Sequence, residues 1–156
     1  MQRLDHDRPL VYIAAPLFSE AELAFNIALA NRIEVSLDVY LPQRDGGKVV
    51  DLVSRGVGED VAYKSIFERD ICALDAATAV IIVMDGRTID EGAAFELGYA
   101  YAHSKQCVGL QTDPRRLLPM GNNPMIAVPL NEIFASIEEA GCWADSFMYA
   151  ELRGRV

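Results

Sequence analysis

Positive charge is scarce in this chain: 14 lysines and arginines stand against 23 aspartates and glutamates, a net charge of -9 over 156 residues. A nucleic-acid polyanion needs clustered Lys and Arg to displace its counterions, so no nucleic-acid partner is expected and a small, roughly neutral ligand is favoured. Cysteine is equally sparse. Cys72, Cys107 and Cys142 are an odd number at wide spacing with no C-x-x-C pair. That pattern indicates neither a disulfide framework nor a zinc site, and it predicts reduced, mostly buried thiols. No apolar run approaches the roughly 18 residues of a membrane span. The stretch from Met1 to Pro9 is polar and charged, unlike a secretory leader. The cytoplasm is the expected location, with no membrane partner.

Several catalytic and cofactor signatures are missing as well. There is no G-x-x-x-x-G-K-[ST], and the glycines of Asp45-Gly-Gly-Lys48 and Arg55-Gly-Val-Gly58 do not follow the first strand as a dinucleotide fingerprint must. No G-x-S-x-G elbow occurs, and His6 and His103 lack metal-ligand spacing. His103, near the end of a predicted helix, reads as a dipole-complementing residue. No metal or organic cofactor is called for.

What is present is a chain of ordinary globular composition, 51% hydrophobic and 24% charged, of a length that suits one domain, taken as 1–156. Pro9 to Ala15 is a short apolar run closed by Pro16, the form of a buried strand. Ser19 stands three residues before Glu22, a capping-box spacing. It is followed by an apolar stripe of either Leu23, Ile27, Ala30 and Ile33 or Ala24, Ala28 and Leu29. Leu37 to Leu41 predicts a second strand, and Gln43 to Gly58, rich in Gly and charge, a long loop.

The pattern then predicts a helix from Glu59 to Ala77, carried by Val61, Ala62, Ile66, Ile71 and Leu74, and a central parallel strand from Ala79 to Met84. A helix from Glu91 to Ser104, a strand from Cys107 to Leu110 and a loop from Thr112 to Pro124 follow. A short strand at Ile126 to Val128 and one or two terminal helices complete the chain. Strands alternating with helices imply an α/β, flavodoxin-like, doubly wound domain, with a parallel sheet of about five strands and helices on both faces. In such sheets a ligand sits beyond the carboxyl ends of the strands, so the loops after Ala15, Leu41, Met84 and Leu110 share the expected functional rim.

The segment from Met84 to Ala102 follows the most buried strand and carries Asp85, Asp90, Glu91 and Glu96. Helix position alone reads Glu96 as a solvated side chain. Its neighbours Gly92, Ala93, Leu97, Tyr99 and Ala100 are small or apolar, which argues for partial desolvation, a raised pKa and a sharper nucleophile. Asp90 reads as the N-cap of that helix, a role compatible with catalysis. Asp70, in the preceding helix, reads either as a surface charge or as a carboxylate facing the same rim. Carboxylates meeting around a cleft suit glycosyl transfer: one attacks the anomeric carbon while another protonates the leaving group. A nucleobase leaves poorly unless a ring nitrogen is protonated or hydrogen-bonded, and Asp70 and Asp90 are the candidates for that role.

From Val11 to about Phe134 the chain resembles the nucleoside 2-deoxyribosyltransferase family. Three stretches carry the likeness: Tyr12-Ile-Ala-Ala-Pro-Leu-Phe18, Asp90-Glu-Gly-Ala-Ala-Phe-Glu-Leu-Gly-Tyr-Ala100 and Asn123-Pro-Met125. The resemblance implies that Glu96 attacks C1' of deoxyribose to give a covalent deoxyribosyl-enzyme, with Tyr12 holding the nucleophile through its hydroxyl. It implies that Asp70 stands near the nucleobase and that Asp90 binds sugar hydroxyls or the base. Phe18 and Gly92 fall within the matching stretches as substrate-binding positions. Asn123 and Met125 match residues that the family supplies from a neighbouring subunit to the sugar 5'-end, so the active unit is expected to be a homo-oligomer, at least a dimer, with shared sites.

The family commonly places a Gln after the second strand to hold the base. Here that region is Pro42-Gln-Arg-Asp-Gly-Gly47, and Gln43, Arg44 or Asp45 serves. Relatives that hydrolyse nucleoside monophosphates use a Gly/Ser/Arg-rich turn after the first strand. The apolar, then acidic turn Ala15-Pro-Leu-Phe-Ser-Glu20 disfavours a phosphate. The expected activity is transfer of 2-deoxyribose between purine and pyrimidine bases, a step in nucleotide salvage, with deoxynucleosides and free bases as partners. The rivals are an N-glycoside hydrolase using the same Glu96 and a non-catalytic nucleoside sensor on the same fold.

Overall fold

Every residue of Ala79–Val83 is buried, as a β-branched strand covered on both faces of a parallel sheet must be. In a computed structural model that describes residues 8–113, 115 and 121–154, this segment is the third of five strands and the centre of one sheet. The strands are β1 (Leu10–Ala14), β2 (Asp38–Tyr40), β3 (Ala79–Val83), β4 (Gln106–Leu110) and β5 (Glu132–Phe134). Their order is β2-β1-β3-β4-β5 and every pairing is parallel, the flavodoxin-like arrangement, with the switch point between β1 and β3. The helices are α1 (Glu20–Ile33), α2 (Val49–Ser54), α3 (Glu59–Ala76), α4 (Glu91–Ala102), α5 (Pro124–Ala127) and α6 (Ile137–Gly154).

Strand alternation sorts the core into two layers. Val11, Ile13, Ile81, Val83, Val108 and Leu110 pack against α1 and α6 through Leu29, Ala30, Ile33, Ala140, Ala144 and Phe147. Tyr12, Ala14, Val80, Ile82 and Cys107 point the other way, towards Ala73 and Leu74 of α3 and Ala93, Leu97 and Ala100 of α4. A period of two therefore sends Tyr12 to the face that carries α3 and α4. Ser19 caps α1: its hydroxyl accepts from the Glu22 N–H at 3.3 Å while Glu22 accepts from the Ser19 N–H at 2.8 Å.

Several sequence expectations are corrected. Ile126 and Ala127 lie in α5, with Val128 at its end, because Asn123 caps the following N–H groups and Pro124 at the first helical position starts a helix. The fifth strand is instead Glu132–Phe134. The predicted loop from Gln43 to Gly58 holds a π-helical turn at Pro42–Gly46 and the short α2. Asp45 accepts from the Leu41 N–H at 2.8 Å and closes that turn through its side chain.

The buried side of α1 is Asn26, Leu29, Ala30 and Ile33, with Ile27 exposed, because the helix meets both the sheet and α6. In α3, Val61 is likewise exposed. Cys107 is buried, but Cys72 and Cys142 are exposed on the solvent faces of α3 and α6, and all three are free. His103 ends α4 with its ring stacked on Tyr99. His6, the polar N-terminal stretch, part of the 112–124 loop and the last two residues lie outside the described residues. Among those described, no helix is long and apolar enough to cross a membrane.

Ile81 is fully buried at the sheet centre, so Ile81→Ala should cost about 3 kcal/mol of unfolding free energy through lost burial and a residual cavity. Ser19→Ala, which removes only the cap, should cost about 1 kcal/mol. Urea midpoints at constant slope measure both, and equal losses would contradict the assignment of Ile81 to the core.

Candidate active site

Tyr12 is wholly buried, and its hydroxyl donates to Glu96 Oε1 at 2.6 Å. The contact joins the middle of β1 to the second turn of α4. Its neighbours on α4, Ala93, Leu97 and Ala100, are buried against the sheet. Helix and strand thus lie close enough for one hydroxyl to span them. Burial pushes the Glu96 carboxyl from the ordinary 4.5 up to about 8. The Tyr12 hydrogen bond works against that rise, and the negative charges of Asp70 and Asp90 add to it. Burial and the adjacent Glu96 push the Tyr12 phenol far above its usual value, so it stays a proton donor to the carboxylate.

A second tyrosine repeats the motif one strand over. Tyr40 sits opposite Tyr12 in the β1–β2 register. The two rings stack with centroids 5.3 Å apart and planes 20° from parallel. The Tyr40 hydroxyl donates to Asp70 Oδ1 at 2.8 Å. Burial raises the Asp70 carboxyl, while Tyr40 and then Arg69 oppose the rise. Gly46, in the turn after β2, lies so near that a methyl group there would stand 2.9 Å from Asp70 Oδ1 and 3.4 Å from the Tyr40 hydroxyl.

Asp70 and Glu96 line one cleft of about 300 Å³ with Phe67, Ile71, Leu74, Gly92 and Phe95. Asp90 caps α4, its Oδ2 accepting from the Ala93 N–H at 2.9 Å, and a side chain at Gly92 would meet that same Oδ2 at 3.1 Å. Of the residues expected in the site, Tyr12, Asp70, Asp90, Gly92 and Glu96 are therefore brought together. Phe18 stands 80% exposed at the tip of the turn after β1. In that turn the Phe18 and Ser19 N–H groups both donate to Glu22.

Gln43 is engaged with α1: its amide donates to the Leu23 carbonyl at 3.0 Å and accepts from the buried Asn26 at 2.8 Å. Asp45 is held by Arg44 and by the Leu41 N–H. Asn123 and Met125 are not in the Glu96 cleft. Asn123 caps α5 and lines a separate cavity of about 350 Å³ with Met84, Arg87, Ile89 and Gln111, and Met125 is 80% exposed.

Sequence reading missed Tyr40, Gly46 and Asn26. Tyr40 precedes a strand-ending Pro42 by two residues, but only the pairing register sets it against Tyr12. Asn26 had a signal, a polar residue on the buried side of α1, which a stripe phased on Ile27 obscures. A burial-raised carboxylate held by a buried phenol, with two more carboxylates beside it, can attack an electron-poor carbon while a neighbour handles a proton.

A family model described as nucleoside 2-deoxyribosyltransferase matches residues 11–150. No curated protein shows a significant sequence match. Among solved structures, a conserved protein from Enterococcus faecalis V583 superposes with a TM-score of 0.68 at 25% identity, over 96% of this chain and 99% of that one. A 2-deoxyribosyltransferase from Bacillus psychrosaccharolyticus gives 0.67 at 20% identity, over 85% and 90%. The CMP N-glycosidase of Clostridium botulinum gives 0.55 at 16% identity, over 87% and 98%.

The raised Glu96 pKa has a consequence for stability. The folded protein keeps that proton to higher pH than the unfolded chain, so the contribution of this carboxyl to stability is fully present below about 4.5 and is lost as pH climbs through about 8. Glu96→Gln removes this loss. Relative to wild type it should gain several kcal/mol between pH 4 and pH 9, read from urea unfolding at each pH. A gap that does not vary with pH would contradict the desolvated site.

Proposed function

Because the chain belongs to the nucleoside 2-deoxyribosyltransferase family, we propose that it transfers 2-deoxyribose between nucleobases through a covalent deoxyribosyl ester on Glu96. The observation that carries this reading is the Glu96 carboxylate, desolvated yet aimed by a buried tyrosine hydroxyl, with Asp70 lining the same cleft. In the first half-reaction Glu96, reacting in its ionised form, bonds through one oxygen to C1' and the C1'–N bond breaks. Its electron pair stays on the base nitrogen as Asp70 or Asp90 supplies a proton or hydrogen bond to the leaving ring. In the second half, a ring nitrogen of the incoming base attacks C1' as Asp70 or Asp90 takes up its N–H proton, the ester bond breaks and Glu96 is released as a carboxylate.

The charge of the site favours a neutral nucleoside over a nucleotide. Three carboxylates surround the cleft, and the backbone N–H groups of the turn after β1 are taken by Glu22, which leaves that turn unsuited to a phosphate. Phe18, Gln43, Asp45 and Gly92 are assigned to the substrate, Gln43 and Asp45 to the base. Asn123 and Met125 are assigned to a neighbouring copy's site, in a homo-oligomer that is at least a dimer. Their position outside the Glu96 cleft of their own chain supports that assignment. The reading carries with it a cytoplasmic location and a part in nucleotide salvage.

Purified protein with 2'-deoxyinosine and cytosine should yield 2'-deoxycytidine by chromatography, and Glu96→Ala should lower the rate by roughly 10⁴-fold. Hypoxanthine released without deoxycytidine would establish hydrolysis by the same glutamate. Binding without turnover would establish a sensor. For the shared site, Glu96→Ala and Asn123→Ala proteins, each inactive alone, should regain activity when mixed and allowed to exchange subunits. No recovery in a verified hybrid oligomer would place Asn123 outside the partner's site.

A further inference from the structure

Asp70 Oδ1 is occupied by the Tyr40 hydroxyl, and the backbone of Gly46 closes over the same oxygen. One carboxylate oxygen is thus held from strand β2 and its turn, while Oδ2 takes no hydrogen bond from any described residue, and the Asp70 side chain lines the cleft with Glu96. Tyr40 has no place in that lining. We infer that Tyr40 is a positioning residue: by holding Oδ1 it orients Asp70 so that Oδ2 alone meets the departing or arriving nucleobase.

The inference rests on the deoxyribosyl-transfer reading, and it adds a role for the stacked tyrosine pair. Tyr12 and Tyr40 are opposite each other in the sheet, and each hydroxyl holds one carboxylate. The separation of the nucleophile from the group that serves the base is thereby tied to one β1–β2 register. A flexible aspartate would sample several rotamers, and a reaction that needs both carboxylates placed at once loses rate when one wanders.

The groups around Asp70 are Arg69 on its own helix, Tyr40 on β2, Tyr12 on β1 and Glu96 on α4; Asp45 lies against Tyr40, and Asp90 against Glu96. Among them Tyr40 and Arg69 favour the charged form of Asp70. Loss of the Tyr40 hydroxyl must therefore raise the Asp70 pKa, and with it the pH at which any Asp70-dependent step changes.

Tyr40→Phe keeps the ring stack and removes only the hydroxyl. It should lower kcat about tenfold, part of what a general acid contributes, with KM for the donor nucleoside changed less than about threefold. In the Asp70→Asn background the same change should cost less than about twofold, because the carboxylate that Tyr40 orients is already gone. The part of the pH profile that Asp70→Asn abolishes should move to higher pH. In the resting protein, the Asp70 carboxyl resonance in ¹³C NMR should titrate upward.

Gly46→Ala, whose methyl would press on Asp70 Oδ1 and the Tyr40 hydroxyl, provides a second variant with the same expected pattern. Equal losses in both backgrounds, or an unmoved Asp70 titration, would overturn the inference. Turnover that survives Glu96→Ala would overturn the transfer reading instead, and the resting-state titration would still test Tyr40.

Discussion

The hydrogen bond from Tyr12 to Glu96 is the constraint around which the site is arranged. A carboxylate taken out of water is costly unless a donor meets it, and here the donor is a phenol wholly buried in the sheet. Such a contact needs a helix that approaches the strand closely. α4 has small side chains at Ala93 and Ala100 along its buried face, and a bulkier pair there would push the Glu96 backbone away from β1. The same closeness that makes the contact also desolvates the carboxylate. Position and raised proton affinity are therefore two results of one packing decision.

The parallel sheet extends that arrangement sideways. Because β1 lies between β2 and β3, its inward tyrosine has a neighbour on each side: Tyr40 in the β2 register and Val80 in the β3 register. One neighbour brings a second hydroxyl, and through it the Asp70 of α3. The other is apolar and belongs to the core under α4. The cleft is lined by α3 and α4, the two helices on the face of the sheet to which Tyr12 and Tyr40 point, and the two hydroxyls reach its carboxylates from β1 and β2. On the opposite face β1 and β3 present Val11, Ile13, Ile81 and Val83 to α1 and α6.

Much of the fold was legible because it rests on local signals. The Ser19–Glu22 box, the β-branched run of β3 and the alternation of strands with helices are patterns within a few residues of one another. Errors arose where a neighbour in space outweighed the local pattern. Ile126 and Ala127 have strand-forming company yet follow a cap and a proline, and the loop from Gln43 onward is ordered by the Asp45 side chain turning back to Leu41. The burial of Asn26 in place of Ile27 follows from the angle at which α1 meets α6 and the sheet, which helical periodicity in α1 alone cannot encode.

The sequence by itself determined the alternating α/β order, the capped start of α4 at Asp90, and the presence of a carboxylate at Glu96 among small residues. Each of these depends on residue type and spacing along one stretch of chain. The contact of Glu96 with Tyr12 across 84 positions was implied by the family resemblance and not by residue type or spacing, and only the tertiary structure decided that Tyr40 stacks on Tyr12 and holds Asp70, and that Asn123 lines a different cavity. Those facts depend on strand order and register. Register is set by hydrogen bonding between strands far apart in the chain, where a slip of one residue would turn Tyr40 to the other face of the sheet.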